Sequence, residues 1–282
     1  MRPVVLFILC CLPMLSPAGA RAADSLDTCT FFIDSLPVVI TSQGTWCLRQ
    51  DVATPITTGF AIDVQANNVT IDCNGYKIGG LAGGLSTEAR AIVNVERRNT
   101  TVRGCTVRGF LQAIVLGEGG GHLVEDNRIE GATGGGILII ADGSMVRRNL
   151  VIDTGGSPLD VGVTIGIAGH RQVHIVDNVV DGVDGADNAI GIRVWDNSGS
   201  VSGNRVSGVI ADTGYIHAIQ GIAGGRSIIR DNDVVGLGTP VEWGIHCDDD
   251  GITTTGNVVS GFANGIAACE SIGDIVNTNV VD

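Results

Sequence analysis

Apolar residues return along this chain in short runs of Val, Ile and Thr that alternate with polar residues and are bounded by Gly, Asn and Asp. A period of two marks strands, and no segment after residue 23 sustains a helical period. The runs are built on one motif: an apolar residue, two polar or small residues, an Asn, a further apolar residue and usually a Gly. It reads Val-Glu-Asp-Asn-Arg-Ile-Glu-Gly at 124–131, Ile-Val-Asp-Asn-Val-Val-Asp-Gly at 175–182 and Val-Ser-Gly-Asn-Arg-Val-Ser-Gly at 201–208. Cys105 takes the Asn place in Val-Arg-Gly-Cys-Thr-Val-Arg-Gly. The later anchors are Asn127, Asn149, Asn178, Asn204, Asn232, Asn257 and Asn279, at spacings of 22 to 29 residues, and an upstream variant centres on Asn74.

A second series keeps step with the first. A small residue followed by Ile recurs as Ala91-Ile92, Ala113-Ile114, Gly136-Ile137, Gly166-Ile167, Gly191-Ile192, Gly221-Ile222, Gly244-Ile245 and Gly265-Ile266, each Ile 10 to 13 residues before its anchor. The extra length therefore falls in one connection, and loops on one side vary. A unit this small cannot bury its own apolar face and is stable only when stacked on its neighbours. The pattern predicts an all-β coil of parallel strands, one repeat per turn, rising about 4.8 Å per turn. An Asn at one place in every turn is expected to form a side-chain ladder and to accept the left-handed backbone of a tight bend.

These phased Gly-Ile and Val-x-x-Asn-x-Val-x-Gly units resemble the repeats of the pectin-lyase-like superfamily. The stretch from Gly59 to Gly80, with Ala-Ile-Asp-Val and Asn-Asn-Val-Thr-Ile-Asp-Cys-Asn-Gly, is similar to the first turns of those proteins. The resemblance implies a single-stranded right-handed parallel β-helix of about nine turns over 59–282. It leaves the activity open, because that superfamily includes lyases, hydrolases, epimerases and non-catalytic surface proteins.

Residues 1–23 hold an Arg, an apolar stretch from Val4 to Leu15 and a small-residue segment, the pattern of a secretory signal peptide. The apolar stretch is too short for a membrane span, so membrane insertion is not expected. The chain of 282 residues has 17 basic and 30 acidic residues, a net charge of −13, and its only Lys is Lys77. Such a surface repels nucleic acid and anionic membranes. Six Cys follow the leader, and an exported chain favours disulfides. Local pairing joins Cys29 with Cys47, Cys73 with Cys105 and Cys247 with Cys269. Cys73 stands one place before its presumed anchor, Asn74, and Cys105 at its own, which sets that pair to diverge. Residues 24–58 lack the repeat and read as an N-terminal cap. The chain stops three residues after Asn279, which points to an end-on homo-oligomer through the last turn.

The inside of such a coil is packed, so chemistry must lie outside. By strand alternation the residue after each marker Ile points outward. That column reads Val93, Val115, Leu138, Ala168, Arg193, Ala223, His246 and Ala267. Arg193 and His246 break an otherwise bland series. The same edge adds His170, Arg171, Trp195, Asp196, Arg226, Asp248, Asp249 and Asp250. A sugar-binding face needs an aromatic platform, which Trp195 with Tyr215 or Trp243 would supply. Asp196 and Asp249 would serve hydrolysis as paired carboxylates. In β-elimination, Arg193 or Arg226 would offset uronate charge while His246 removes a proton. Asp248-Asp249-Asp250-Gly251 also reads as a solvated turn, and the companion motifs of the polygalacturonases are absent. Asp181, Asp184 and Asp187 sit in an enlarged loop that would hold calcium, the one cofactor expected. His122 and His174 read as turn or surface residues. The widened connections Asp153–Val161, Asp181–Asn188 and Val209–Ile216 flank the same turns.

The sequence thus predicts a secreted β-helix that binds or processes an extracellular polysaccharide through an exterior cleft, as lyase, hydrolase or epimerase. The alternative is a non-catalytic cell-envelope structural or adhesion protein, in which the same residues are only surface.

Overall fold

A computed structural model describes residues 28–195, 199–222, 226–239, 242–248, 251–269 and 280–281; the leader lies outside them. The described chain is a parallel β-helix whose strands form three sheets of ten strands each. One turn shows the rule. Arg90–Val95 lies in one sheet, Thr100–Arg103 in the next and Thr106–Arg108 in the third, before Gln112–Gly117 returns beside Arg90–Val95. We call these sheets 3, 1 and 2 respectively. Among the described residues no helix is long and apolar enough to cross a membrane.

The core is a set of columns with one aliphatic residue per turn. Ile62, Ile92, Ile114, Ile137, Ile167, Ile192, Ile219 and Ile245 stack in sheet 3. Val102, Val124, Val146, Ile175, Val201 and Ile229 do so in sheet 1, and Val107, Ile129, Val151, Val180, Val206 and Val234 in sheet 2. All are buried. Each contributes about 1.5–3 kcal/mol of apolar burial. The residue before each sheet 3 Ile is small because it too faces packed atoms. A Cβ at Gly166, Gly191 or Gly244 would lie 2.6, 2.4 or 2.3 Å from Cγ1 of Val180, Val206 or Val259.

Register corrects one marker. Ile219, not Ile222, stands beside Ile192 and Ile245. The repeat therefore uses Ala218-Ile219, and Gly221-Ile222 falls three residues later. The outward column consequently holds Gln220 between Arg193 and His246; Ala223 lies outside the described residues.

The anchor Asn residues form the expected ladder. Asn127, Asn149, Asn178, Asn204, Asn232 and Asn257 are at most 3% exposed. Each of the first five donates from Nδ2 to Oδ1 of the next, at 2.8–3.0 Å. That same Oδ1 accepts the backbone N–H of the Asn below. The left-handed residue of the bend, however, is the one before the Asn: Asp126, Arg148, Asp177, Gly203, Asp231 or Gly256, with φ between 53° and 68°. A buried carboxamide is held by its neighbours above and below, and the left-handed position falls to an adjacent residue at the surface or to Gly.

The three disulfides join Cys29 to Cys47, Cys73 to Cys105 and Cys247 to Cys269, as local pairing anticipates. The expected divergence at Cys73 is absent. Asn74 is not in the ladder; Cys73 is the residue one turn below Cys105, with Cα atoms 4.7 Å apart. Asn74 begins a small extra turn, with φ 49°, and donates to the Leu48 carbonyl. Residues of the N-terminal segment also do more than cover an end. Val38–Ile40, Gly44–Cys47 and Val52–Ala53 pair in parallel with Phe60–Val64, Val69–Asp72 and Lys77–Gly79, so this segment extends all three sheets. At the far end Val280–Val281 pairs with Val258–Ser260.

Candidate functional site

Sheet 3 places the unusual side chains. Arg193, Gln220 and His246 occupy one position in three successive strands, Asn188–Trp195, Ile216–Ile222 and Glu242–Cys247. His217 and Trp243 are neighbours in a second column of the same strands. Parallel register about 4.8 Å per strand sets side chains of one column at stacking distance.

Two kinds of contact knit the group together. The first is polar. Arg193 Nε donates to Gln220 Oε1 at 2.8 Å, and Gln220 Nε2 donates to Asp248 Oδ2 at 2.6 Å. Asp248 Oδ1 lies 3.0 Å from His246 Nδ1, off the line of a hydrogen bond. A second Arg193 nitrogen donates to the Tyr215 hydroxyl at 3.2 Å. The second kind of contact is between rings. Tyr215 stacks on His217 at 4.7 Å, His217 on His246 at 4.6 Å, and Trp243 meets His246 edge-on at 4.8 Å.

His217 is 5% exposed, and its Nδ1 is buried without a hydrogen-bond partner. Burial first, then the nearby His246 and Arg193, push its pKa down to about 4, against a partly opposing hydrogen bond with Gln220. The ring is neutral near pH 7. Neutrality lets it stack between Tyr215 and His246 while facing the Arg193 guanidinium. Arg193 itself has no carboxylate partner among the described residues, whereas Arg103, Arg147 and Arg148 all pair with Asp or Glu.

Of the residues singled out in the sequence, Arg193, Tyr215, Trp243, His246 and Asp248 come together. Asp196 and Asp249 lie outside the described residues. His170 and Trp195 stack at 4.8 Å in their own column, at the edge of sheet 3 where the chain turns toward sheet 1. Arg171 is in that turn, left-handed at φ 72°, with its N–H on the Trp195 carbonyl. Arg226 is not on the face: it is exposed just before Ser227–Arg230 of sheet 1. His122 is buried, with Nδ1 accepting from the Thr100 N–H and Nε2 on the Glu118 carbonyl. His174 pairs with Ser200 at 2.7 Å on sheet 1.

The calcium expectation is not met. Asp181 accepts from the Ser207 hydroxyl and Asp187 from that of Thr213, while Asp184 lies between them on Val179–Gly185. Spread along a strand and its following turn, the three do not converge. Among the described residues no three His, Cys, Asp or Glu are grouped to hold a metal ion. The widened connections do meet, however. A cavity of about 260 Å³ is lined by Leu159 and Asp160 from one, Asp184 and Asp187 from the next and Asp212 from the third, together with Asn188. It adjoins the cluster, because Asn188 Oδ1 accepts the Tyr215 backbone N–H.

His217 and Gln220 escape the sequence pattern because Gly221-Ile222 imitates the marker three residues downstream. The competing Ala218-Ile219 pair was the available signal.

No protein-family model and no curated protein matches this chain. Among solved structures, the Dettilon tailspike protein (gp208) is 16% identical, with a TM-score of 0.43, over 89% of this chain and 60% of that one. A tailspike protein mutant of E. coli bacteriophage HK620 in complex with pentasaccharide is 13% identical, with a TM-score of 0.46, over 86% of this chain and 53% of that one. A mutant DFA-IIIase from Arthrobacter chlorophenolicus A6 in complex with DFA-III is 11% identical, with a TM-score of 0.40, over 84% and 63%. This chain spans less than two thirds of the length of each. At these identities the likeness is one of fold alone.

Proposed function

We propose that this protein is secreted and that it binds and processes an extracellular polysaccharide on the outer face of sheet 3. The observation that supports this most is one continuous patch in which Tyr215, His246 and Trp243, packed around the buried His217, form a ring surface beside Arg193, which has no carboxylate partner among the described residues, and a His246–Asp248 pair. Rings of this kind pack against the apolar face of a sugar, and polar groups at their edge fix its orientation. Export is supported by the three disulfides.

The chemistry best supported is β-elimination on a uronate. Arg193 offsets the substrate carboxylate and so acidifies the adjacent C–H. His246 takes that proton, and Asp248 stabilises the imidazolium that forms. The electron pair of the broken C–H bond becomes the new double bond, and the glycosidic C–O bond breaks. The Tyr215 hydroxyl accepts from Arg193 and retains its own proton for the leaving oxygen. Hydrolysis needs two carboxylates on either side of the scissile bond, and Asp248 is already engaged by Gln220 and His246.

The test is incubation of the mature protein with neutral and uronate polysaccharides, following reducing ends and unsaturated products together. Unsaturated product from a uronate polymer is expected, with a loss of about 10²-fold or more in His246→Ala. Reducing ends without unsaturation would replace elimination by hydrolysis. Silence across the panel from folded protein would leave a binding or structural role.

A further inference from the structure

We infer that Gln220 is a positioning residue, one that sets the Asp248 carboxylate against His246 and ties that pair to Arg193 two strands away. This rests on the reading of His246 as the proton-accepting group.

The reasoning begins with what each neighbour offers. A guanidinium only donates hydrogen bonds and a carboxylate only accepts them. Placed between Arg193 and Asp248, a side chain must accept on one side and donate on the other. A primary amide does both, and its orientation is thereby fixed: Oε1 toward Arg193 and Nε2 toward Asp248. Glu at this place would set one acceptor against another, and Lys would set one donor against another.

Burial gives the arrangement its force. Gln220 is 5% exposed, so its own amide does not readily exchange a lost partner for water, whereas the Asp248 carboxylate is partly open to solvent and depends on the amide for its orientation. Holding Asp248 by Oδ2 leaves Oδ1 as the oxygen at His246 Nδ1, 3.0 Å away. That contact lies off the line of a hydrogen bond, so it is the negative charge 3.0 Å from Nδ1 that favours the tautomer with the proton on Nδ1, over one that would set a lone pair against the carboxylate, and leaves the lone pair on Nε2. Other groups around His246 do not supply this selection: His217 stacks on its face, Trp243 meets it edge-on, Tyr215 lies beyond His217, and Arg193 lies two strands away beyond Gln220.

The experiment uses the full mature chain without substrate, so it reads the positioning separately from the reaction. Ring ¹⁵N shifts of His246 report its tautomer at alkaline pH, where imidazoles are neutral, and the signal is assigned by its loss in His246→Ala. Four proteins are compared: wild type, Gln220→Leu, Asp248→Asn and the double variant. Wild type is expected to hold the proton on Nδ1. Gln220→Leu should move the tautomer ratio toward Nε2–H by about threefold or more, the worth of one hydrogen bond. In the Asp248→Asn background the same substitution should change nothing, because Gln220 acts through that carboxylate. An unchanged ratio in Gln220→Leu, or an effect that persists with Asn at 248, overturns the inference. Should Gln220→Leu not fold, Gln220→Glu keeps the Arg193 contact and expels Asp248, and an unchanged ratio there is equally fatal. Failure of the elimination assay with the tautomer shift intact would overturn the catalytic reading and leave the positioning in place.

Discussion

His217 shows how burial and stacking decide the chemistry of a single residue. The group prefers to be charged below pH 6.5 in the unfolded chain, but in the fold its pKa lies near 4 because burial disfavours the charged ring. The unfolded state therefore binds more protons between these two values. Stability falls as pH drops from about 6.5 to about 4 and levels off below, by roughly 3 kcal/mol from this residue alone. His122, also pushed down chiefly by burial, adds in the same direction. Melting temperature followed against pH should show this slope. His217→Gln should remove the His217 part of it and leave the remainder from His122. The groups facing His217 are His246, Arg193, Gln220 and Tyr215. A slope unchanged in the variant would place the titration elsewhere.

At the scale of the element, the bend between sheets 1 and 2 is where the repeat is enforced. Asn178 receives on Oδ1 both the N–H and the side-chain amide of Asn149, and it donates to the carbonyls of Val146 and Val176 and to Asn204. Asn178→Ala leaves a buried N–H and two buried carbonyls with fewer partners. Unsatisfied buried groups cost about 1–3 kcal/mol each. A loss of about 3 kcal/mol is expected, read as a lower denaturant midpoint at unchanged slope. Much of this was legible in advance: the anchor spacing alone implies a ladder. The left-handed position lies one residue before the expected Asn because an Asn can serve either as a bend or as a buried rung, and only burial distinguishes them. Cys73 meets Cys105 for a related reason, since the extra turn from Asn74 shifts the sequence frame without shifting the stack.

For the whole molecule, charge acts against the proposed ligand at long range and for it at contact. With a net charge of −13 the protein repels a polyanion beyond a few ångströms, whereas Arg193 is half-buried at the face, held by Gln220 and Tyr215 and without a carboxylate partner among the described residues. Salt screens the distant charges over about 10 Å at 0.1 M and the buried contact much less. The association rate with an immobilised uronate polymer should therefore rise as salt increases toward about 0.15 M, while that with a neutral polymer stays flat. A rate that falls with salt would show that a local basic surface, not the net charge, governs approach.

What the sequence by itself determined was the architecture: repeat length, the alternation of strands, the buried columns and the ladder. Each follows from a regular spacing, and a stacked coil converts regular spacing directly into neighbours. The disulfide partners follow from the simpler expectation that Cys residues near in sequence pair, which the structure bears out. Five of the face's residues are also legible: Arg193 and His246 as departures from a bland column, Asp248 as a polar residue of the same edge, and Tyr215 and Trp243 as candidates for an aromatic platform. Only the tertiary structure decided the register across Ile216–Ile222, and with it the places of His217 and Gln220. Two overlapping Ala-Ile and Gly-Ile markers fit the same spacing in one dimension. In three dimensions Ile219 fills the core column between Ile192 and Ile245, and the side chains beside it, His217 and Gln220, complete the face.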